Sequence, residues 1–437
     1  MVKLETNNYE ITGGHPLSGS IAVNTSKNGA LHLICTALLN RGTTTLHRIP
    51  RIAEIDRMLE VLESIGVSAQ WTGGHTLTIR PPKRFKLSGF DHESAGRMRS
   101  TLMLVASLIH FSNDFKIPHS GGCKMGERTI AAHRIGLEAF GVKIKTEDSH
   151  YRITCKKPRS AEVTLYEASD TGTTNLLRAA ALIPKTSVIH FATQNYMVQD
   201  VIGYLRALGV GIEQDGPTSL RVTGLAEINQ DIEYSNSEDP IEAMAFISAG
   251  IVTKSTLTIE RCPIGFLRLE LLKLKVMGLK YTQSKEYLSN NGFTKLVDIT
   301  VKPSKLKAPN DKIHPLPYPG INVDNLPFFV PITALASGRT LIHDWMWEIR
   351  AIYYTELNRL GAQLTLLDPH RVWVDGVNRL RAADVVCPPA LRPSMIILIA
   401  MLAAPGISKL YDVYNIKRGY ENLPARLAKI GAQIKEI

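Results

Sequence analysis

Hydrophobic and polar positions repeat one arrangement six times along the chain: an apolar helical run, a glycine and a short alternating segment. A glycine just past the last turn of a helix adopts the left-handed conformation at no steric cost. The alternation after it is typical of a half-buried strand. Each copy therefore predicts a helix that ends at its glycine and continues into a strand. The six glycines are Gly66, Gly141, Gly209, Gly278, Gly361 and Gly431.

A second arrangement lies between these glycines and adds another helix to each copy, since an apolar run ends in a polar turn and enters a strand. Single helix–glycine–strand junctions are common anywhere, but six at near-even spacing are not. Six copies in 437 residues leave about 73 residues each, longer than a solenoid repeat of roughly 20 to 50 residues. We therefore expect six small folding units of α/β or α+β type. The six segments, each running from the end of the apolar run through the polar turn into the strand, begin at Ala37, Ala106, Ala181, Ala249, Ala334 and Ala403.

The natural division of the chain is a polar segment at residues 234–240, between the third and fourth copies. It separates two halves of three copies each. Two similar lobes leave a cleft between them, and clefts are where ligands commonly bind.

Composition describes an ordinary globular protein, with 44% apolar and 21% charged residues. The longest apolar stretch, residues 395–404, is shorter than the roughly 20 residues that span a bilayer, and the N-terminus has no apolar signal core. Five cysteines, odd in number and without metal-ligand spacing, fit a reducing compartment. We expect a cytoplasmic protein with no metal, no cofactor and no membrane partner.

The charge balance is basic, with 51 Lys and Arg against 40 Asp and Glu and a formal net charge of +11. Such a balance fits either a nucleic-acid surface or pockets for small anions. The positive charges are scattered, without a basic block or an aromatic-rich RNA motif. The pattern therefore favours small anionic ligands and no nucleic acid.

The most distinctive segment is a glycine-rich loop at residues 120–133 that contains Cys123 and Arg128. Nearby positive charge and a helical run that begins near Thr129 favour the thiolate, which can act as a nucleophile or, when protonated, as a general acid. Most cysteines are instead small buried apolar residues. That alternative suits Cys35 in its apolar run, but not a cysteine in a polar loop.

Two further segments offer groups for binding and proton transfer. Residues 24–33 run from a strand into a helix through Lys27 and Asn28, where a helix N-terminus attracts anions; a plain capped helix start is the alternative. The proline-rich segment 316–327 presents Asp324. This carboxylate can serve as a general base or cap a helix, and the segment alone favours the cap.

Three arginines, Arg99, Arg392 and Arg418, lie beside apolar segments. An arginine in such a place is rarely buried without a partner, and its planar fork suits carboxylate and phosphate groups. An ordinary surface position is the alternative for any one of them.

Together these features resemble the enolpyruvyl transferase family over nearly the whole chain, and the Gly-Gly-Cys-x-x-Gly-x-Arg loop is the most specific of them. The resemblance implies an α/β (α+β) fold, a two-lobed inside-out α/β barrel of six βαβαββ-like repeats. It places residues 27–237 in the first lobe, and residues 1–26 with 238–437 in the second. It further implies that the cleft closes when substrate binds. The other matching residues are Lys27, Asn28, Asp324, Arg392 and the Arg418-Gly-Tyr-Glu421 segment.

The family reaction adds an acceptor hydroxyl to C2 of phosphoenolpyruvate, passes through a tetrahedral intermediate and expels phosphate. By resemblance, Cys123 acts as the acid and covalently captures phosphoenolpyruvate, Asp324 takes the acceptor proton, and Asn28 hydrogen-bonds the intermediate. Cations hold the phosphate and carboxylate where charge develops. The implied catalytic residues are Cys123, Asp324, Lys27, Asn28 and Arg418. The implied phosphoenolpyruvate-binding residues are Lys27, Arg128, Arg392 and Arg418. The implied acceptor-binding residues are Asn28, Arg99, Ser169, Asp324 and Arg350.

The acceptor that the resemblance implies is UDP-N-acetylglucosamine, in peptidoglycan precursor synthesis, but the acceptor segments depart from the family pattern. Thr129 to Ala132 replace a Pro-Val-Asp-Leu stretch that lies against the uracil ring. Glu167 and Asp170 replace residues of a Lys-Val-Ser-Val-Gly segment at the diphosphate, and residues 194–197 replace Arg-Glu-Pro-Glu. A carboxylate beside a diphosphate is repulsive unless a cation intervenes.

Two alternatives follow from these departures. The chain can perform the same chemistry on another nucleotide such as UMP in a specialised pathway, or it can be a non-catalytic homologue with a binding or regulatory role. The matching residues Lys27, Cys123, Asp324, Arg392 and Arg418 speak against the second alternative.

Overall fold

The computed structural model describes residues 7–119 and 129–437, in which helices and strands alternate along the chain. The strands are β1 (Tyr9–Gly13), β2 (Ser18–Ala22), β3 (Thr44–His47), β4 (Ser68–Trp71), β5 (Leu77–Arg80), β6 (Asp114–Pro118), β7 (Lys143–Thr146), β8 (His150–Thr154), β9 (Glu162–Thr164), β10 (Thr186–His190), β11 (Gly211–Gln214), β12 (Leu220–Thr223), β13 (Ile232–Ser235), β14 (Thr256–Pro263), β15 (Lys280–Gln283), β16 (Tyr287–Leu288), β17 (Lys295–Lys302), β18 (Arg339–His343), β19 (Gln363–Asp368), β20 (Arg371–Asp375), β21 (Asp384–Val386), β22 (Gly406–Tyr411) and β23 (Gln433–Glu436).

The helices follow the same order. The α-helices are α1 (Lys27–Ala37), α2 (Ala53–Ser64), α3 (His92–Gly96), α4 (Val105–Leu108), α5 (Ala131–Ala139), α6 (Asp170–Ala181), α7 (Tyr196–Ala207), α8 (Pro240–Val252), α9 (Arg268–Val276), α10 (Phe329–Ala334), α11 (Leu391–Ala403), α12 (Tyr414–Lys417) and α13 (Leu423–Lys429). The 3₁₀ helices are Leu87–Gly89, Ser100–Leu104, Ile264–Phe266, Leu326–Phe328 and Arg350–Leu360.

The described residues separate into two compact units. The first unit comprises residues 25–119 and 129–237, and the second comprises residues 7–24 and 238–437. The lobe boundaries that the sequence suggests, 27–237 and 1–26 with 238–437, remain a prediction.

The described strands form six sheets, three in each unit. In the first unit the strand orders are β13-β3-β5-β4, β6-β8-β7 and β11-β12-β10-β9. In the second unit they are β21-β22-β1-β23, β15-β17-β14-β2 and β18-β20-β19, with β16 also paired to β17. The two earliest described strands join later ones, since β1 lies antiparallel between β22 and β23 while β2 runs parallel to β14.

The glycine pattern is confirmed at all six positions, because each glycine has a positive φ. The angles are 92° at Gly66, 89° at Gly141, 89° at Gly209, 106° at Gly278, 82° at Gly361 and 90° at Gly431. This left-handed region ends a helix readily when the residue has no Cβ. The helical run of the fifth copy, before Gly361, is a 3₁₀ helix.

The predicted second helices are also present, and each leads into a strand. The pairs are α1 to β3, α4 to β6, α6 to β10, α8 to β14, α10 to β18 and α11 to β22. In the second unit, α8 and α11 are apolar on all sides and almost wholly buried, as expected of helices inside a core. Burial of each large apolar side chain contributes roughly 1.5–3 kcal/mol to folding. Because α1 begins at Lys27 and α11 begins at Leu391, the core helices present candidate site residues in their first turns.

Across residues 7–119 and 129–437, every helix is too short or too polar to pass through a bilayer.

Candidate active site

Lys27 and Asn28 occupy the first turn of α1 in the first unit, as the sequence predicts. Ser26 caps this helix, since its Oγ accepts a hydrogen bond of 2.8 Å from the Gly29 N–H. The first turn contains no acidic residue, so the lysine charge and the helix dipole both favour an anion. Asn28 is held in place, because its Nδ2 donates to the Tyr196 hydroxyl at 3.0 Å.

Gly29 explains why the start of α1 is so tightly fixed. A Cβ at this position would lie 2.6 Å from Asn236 Oδ1 and 2.7 Å from Asp200 Oδ2, closer than real side chains pack. Asn236 in turn donates to the Ser26 carbonyl at 2.9 Å, and Asp200 accepts from Ser237 Oγ at 2.5 Å. The close approach of these buried groups fixes the turn that carries the two candidate residues.

Asp324 lies in the second unit, in a loop held by its neighbours. Its N–H donates to Asn322 Oδ1 at 2.9 Å. The buried Glu270 accepts from the Asn322 N–H at 3.1 Å and from Asn325 Nδ2 at 2.9 Å. The residue that precedes the 3₁₀ helix Leu326–Phe328 is Asn325. The helix-cap interpretation of Asp324, which the segment alone favours, is therefore wrong.

Two arginines contact the Asp324 carboxylate, one on each oxygen. Arg350 Nη1 lies 3.4 Å from Oδ1, and Arg392 Nη2 lies 3.4 Å from Oδ2. Both distances exceed the roughly 2.7–2.9 Å of a strong charge-assisted hydrogen bond. The Asp324 side chain is 25% exposed, whereas those of Arg350 and Arg392 are 0% and 7% exposed. The carboxylate is therefore oriented by two buried cations and stays accessible to solvent.

Arg392 and Arg418 are both buried in the second unit, which removes the surface alternative for these two arginines. Arg392 Nη1 donates to the Tyr420 hydroxyl at 2.9 Å. Asp239 caps α8. Burial raises the pKa of Asp239 to about 6, while the charge of Arg392 acts in the opposite direction. The C-terminal Arg418-Gly-Tyr segment and the first turn of α11 therefore share one polar cluster.

The candidate acceptor residues Arg99 and Ser169 lie in the first unit. Arg99 Nη2 donates to the Thr129 carbonyl at 2.9 Å. Burial lowers the pKa of Arg99, whereas the charges of Tyr151 and Glu167 raise it; Glu167 itself is exposed. Ser169 caps α6, with its Oγ accepting from the Gly172 N–H at 3.1 Å.

Two of the departures from the family pattern contact each other. Asn195 Nδ2 donates to Asp170 Oδ2 at 2.9 Å. The next residue, Tyr196, accepts from Asn28. One dipeptide at the start of α7 therefore links the segment of Asp170 to the first turn of α1.

Cys123 and Arg128 lie outside the described residues. The four cysteines within the described ranges are buried and free of disulfide bonds. Cys35 is a core residue as expected, and burial raises the pKa of its thiol to about 12. Within the same ranges, no group of three or more His, Cys, Asp or Glu residues is arranged to hold a metal ion.

A family model described as EPSP synthase (3-phosphoshikimate 1-carboxyvinyltransferase) matches residues 11–427. The chain belongs to this enolpyruvyl transferase family. It is therefore an enolpyruvyl (1-carboxyvinyl) transferase, and the predicted family and class of enzyme are confirmed.

Individual relatives match over almost the whole length. The UDP-N-acetylglucosamine 1-carboxyvinyltransferase of Bradyrhizobium diazoefficiens is 31% identical over 437 residues, which cover 98% of both chains. A protein named UDP-N-acetylglucosamine 1-carboxyvinyltransferase 1 from Symbiobacterium thermophilum is 31% identical over 439 residues, covering 98% of this chain and 95% of the relative. The crystal structure of the enolpyruvyl transferase NikO from Streptomyces tendae matches with a TM-score of 0.81 at 22% identity, covering 98% of both chains. The structural match confirms the predicted fold class.

Several supporting residues of this enolpyruvyl transferase were not predicted. Three of them, Tyr196, Asp200 and Asn236, fix the start of α1. Only Tyr196 carried a signal in the sequence, because it lies in a segment that departs from the family pattern.

Arg178 is a further buried cation in the first unit. Its guanidinium donates to Thr36 Oγ1, Thr174 Oγ1 and Asn175 Oδ1. Burial lowers the pKa of Arg178 to about 10. A single arginine inside a helical run does not reveal from the sequence alone that its side chain is buried.

Proposed function

We propose that this enzyme transfers the enolpyruvyl group of phosphoenolpyruvate to a hydroxyl of UDP-N-acetylglucosamine and releases phosphate, a step in peptidoglycan precursor synthesis. The observation that carries the proposal is the whole-length similarity to relatives of that name, at 31% identity over 98% of this chain. Similarity that extends through both units supports a shared acceptor more strongly than similarity confined to one unit would.

In the proposed reaction the acceptor oxygen bonds to C2 of phosphoenolpyruvate, its proton passes to Asp324, and Cys123 protonates C3. The tetrahedral intermediate then returns the C3 proton, and the bond between C2 and the phosphate oxygen breaks. The products are the enol ether and hydrogen phosphate, which carries the proton that the acceptor lost. This balance needs no oxidant, reductant or cofactor.

The surroundings of Asp324 support its role as the base. A general base must be accessible and correctly oriented, and this carboxylate is partly exposed while Arg350 and Arg392 contact its two oxygens. Contacts of 3.4 Å orient the carboxylate without the close approach of a strong charge-assisted hydrogen bond.

Positive charge for phosphoenolpyruvate comes, in this proposal, from Lys27, Arg128, Arg392 and Arg418. Lys27 adds its charge to a helix N-terminus, and arginine forks suit both carboxylate and phosphate. Such groups stabilise the charge that develops in the transition state. Asn28, Arg99 and Ser169 are assigned to the acceptor.

A second candidate function keeps the chemistry and changes the acceptor to another nucleotide such as UMP. The observation that favours it is the acidic character of the acceptor segment, where Glu167 is exposed near Arg99 and Asp170 pairs with Asn195. The negative charge of Glu167 would repel a bound diphosphate and would also compete with it for the guanidinium of Arg99.

A phosphate-release assay with a panel of acceptors decides between the two. The enzyme is incubated with phosphoenolpyruvate and UDP-N-acetylglucosamine, UMP, UDP or uridine, and Asp324→Asn serves as the inactive control. Release with UDP-N-acetylglucosamine is the expected result. Release with UMP alone would favour the second candidate, and no release with any acceptor would contradict both.

A further inference from the structure

Asp344 makes a buried two-pronged ion pair with Arg350. Its Oδ2 accepts from Arg350 Nε at 2.6 Å, and its Oδ1 accepts from Nη2 at 2.9 Å. Neither side chain has any exposed surface. A bidentate pair of this kind fixes the plane of the guanidinium as well as its position.

Two further contacts hold Asp344 itself. The Tyr354 hydroxyl donates to Asp344 Oδ2 at 2.6 Å, and the Asp344 N–H donates to the carbonyl of His370, between β19 and β20, at 2.7 Å. Burial raises the pKa of Tyr354, so the phenol remains a hydrogen-bond donor. The 3₁₀ helix Arg350–Leu360 therefore holds the carboxylate of Asp344, and the hairpin of β19 and β20 holds its main chain.

The two terminal nitrogens of Arg350 reach the segment that carries Asp324. Nη2 also donates to the carbonyl of Val323 at 2.6 Å, and Nη1 lies 3.4 Å from Asp324 Oδ1. One guanidinium thus holds the main chain before Asp324 and contacts its carboxylate. Because Arg350 has no exposed surface, its effect on a substrate passes through Asp324.

Asp344 also neutralises the positive charge of the buried Arg350 guanidinium. A buried guanidinium without a carboxylate is strongly unfavourable, and in a site of low dielectric it would attract Asp324 into a close pair. A base in a close pair with arginine is weakened, because its lone pairs are occupied. Asp344 neutralises Arg350 and so weakens the attraction of this guanidinium for Asp324, whose Oδ1 stays 3.4 Å from Nη1.

We propose that Asp344, supported by Tyr354, is a positioning residue of the reaction that acts through Arg350 on the Asp324 base. The inference rests on the proposed function of Asp324. It also gives Arg350 the role of orienting Asp324, in place of the direct acceptor contact that the resemblance implies.

The first test is Asp344→Asn in the full-length enzyme, assayed by phosphate release. We expect kcat to fall about 100-fold, the usual effect of misplacing a catalytic group by roughly 1 Å, while KM for phosphoenolpyruvate stays within about threefold. Asp375→Asn is the matched control. Asp375 makes the same bidentate contact with Arg339, at 2.6 and 3.0 Å, in the same unit, but this pair is partly exposed, 29% for Asp375 and 60% for Arg339. This variant should therefore retain wild-type kcat.

The second test is coupling between Asp344 and Arg350. If Asp344 acts through Arg350, the double variant Asp344→Asn/Arg350→Gln loses no more activity than Arg350→Gln alone, because residues that act as a unit are not additive. The double variant also carries no unpaired buried charge, so it should fold even if Asp344→Asn does not. Tyr354→Phe keeps the ion pair and should lower kcat only severalfold. Thermal melting of each variant reports folding.

Three results would overturn the inference: wild-type kcat in folded Asp344→Asn, a rise in KM with kcat unchanged, or losses in the double variant that multiply those of the single variants. The proposed function is tested separately by Asp324→Asn. An active wild type, an inactive Asp324→Asn and an unaffected Asp344→Asn would remove only the inference. Wild-type activity in Asp324→Asn would remove the base assignment on which the inference rests.

Discussion

Burial decides which single side chains of this enzyme are available for chemistry. Cys35 is fully buried, and the raised pKa of its thiol, about 12, keeps it protonated and unreactive. Asp324 keeps a quarter of its side chain exposed. At the residue scale, reactivity therefore follows from exposure and from the charges next to each group.

Fosfomycin should alkylate Cys123 and leave Cys35 unmodified. An activated thiol in a basic loop reacts as the thiolate, whereas the buried thiol of Cys35 does not ionise near neutral pH. Mass spectrometry of the digested protein should show one adduct, on the peptide that contains Cys123. An adduct on the Cys35 peptide, with Cys123 untouched, would refute the assignment.

Arg392→Ala should lower kcat/KM for phosphoenolpyruvate by a hundredfold or more. Removing one donor from a site of developing charge costs about 2 to 4 kcal/mol of transition-state stabilisation, and Arg392 also contacts Asp324. The control is Arg339→Ala, since Arg339 is exposed and pairs with Asp375 at 2.6 Å, away from Asp324. Steady-state kinetics on both variants checks this, and wild-type turnover in Arg392→Ala would remove Arg392 from the site.

Glu167→Lys should strengthen binding of UDP-N-acetylglucosamine. The substitution replaces a repulsive charge near Arg99 with an attractive one, and at a partly solvated site the gain should be about 1 to 2 kcal/mol, shrinking with added salt. Titration calorimetry on the two proteins measures the difference. Tight binding to the wild type with no gain in the variant would show that the segment does not face the diphosphate.

At the scale of elements, the first turns of two core helices carry three of the candidate residues, Lys27, Asn28 and Arg392. Helix α1 begins at Lys27, and α11 places Arg392 in its first turn. Helix starts suit this purpose because their free N–H groups and dipole attract anions. The packing that fixes each start therefore affects catalysis as well as stability.

Gly29→Ala should lower both stability and activity. The added methyl group would meet Asn236 Oδ1 and Asp200 Oδ2 at 2.6 and 2.7 Å, and overpacking of this kind costs about 1 to 3 kcal/mol. Displacement of α1 would also move Lys27 and Asn28.

Gly96→Ala is the matched control, because a Cβ there meets no atom within 4 Å. This glycine ends α3, where alanine should stabilise the helix slightly, by up to about 1 kcal/mol. Thermal melting and phosphate release on both variants test the pair. Equal stability of the two variants would contradict the packing argument.

At the scale of the whole molecule, the formal charge of +11 suits substrates that are anions. A protein field of one sign raises the encounter rate with ligands of the opposite sign. The positive charges are spread over the sequence rather than gathered in one block. Net charge of this kind affects the rate at which ligands associate, and it does not determine the fold.

Added salt should therefore lower kcat/KM for phosphoenolpyruvate more than it lowers kcat. Screening shortens the range of the attraction to roughly 8 Å at physiological ionic strength, while short contacts between groups already bound change less. Kinetics between low and physiological salt, with sucrose as an uncharged control for solution effects, measures this. Equal decreases in kcat and kcat/KM would contradict it.

The sequence by itself determined the features that depend on local sterics. Glycine is strongly favoured where φ is positive after a helix, so the six junctions could be placed from the local pattern of residues, and all six have the expected angle. The start of α1 at Lys27 and the core position of Cys35 follow from short-range patterns in the same way. The family could be predicted because several motifs occur together over the whole chain.

Only the tertiary structure decided what surrounds each candidate group. Asp324 looks like a helix cap in its own segment, but Arg350 and Arg392 reach it from 26 and 68 positions further along the chain. Asp344 and Tyr354 belong to no recognisable sequence motif. Their proposed role can be seen only in the folded protein, where Arg350 contacts both Asp344 and Asp324 and Tyr354 donates to Asp344. Contacts between distant residues depend on how helices and sheets pack, and no local pattern of residue types encodes that packing.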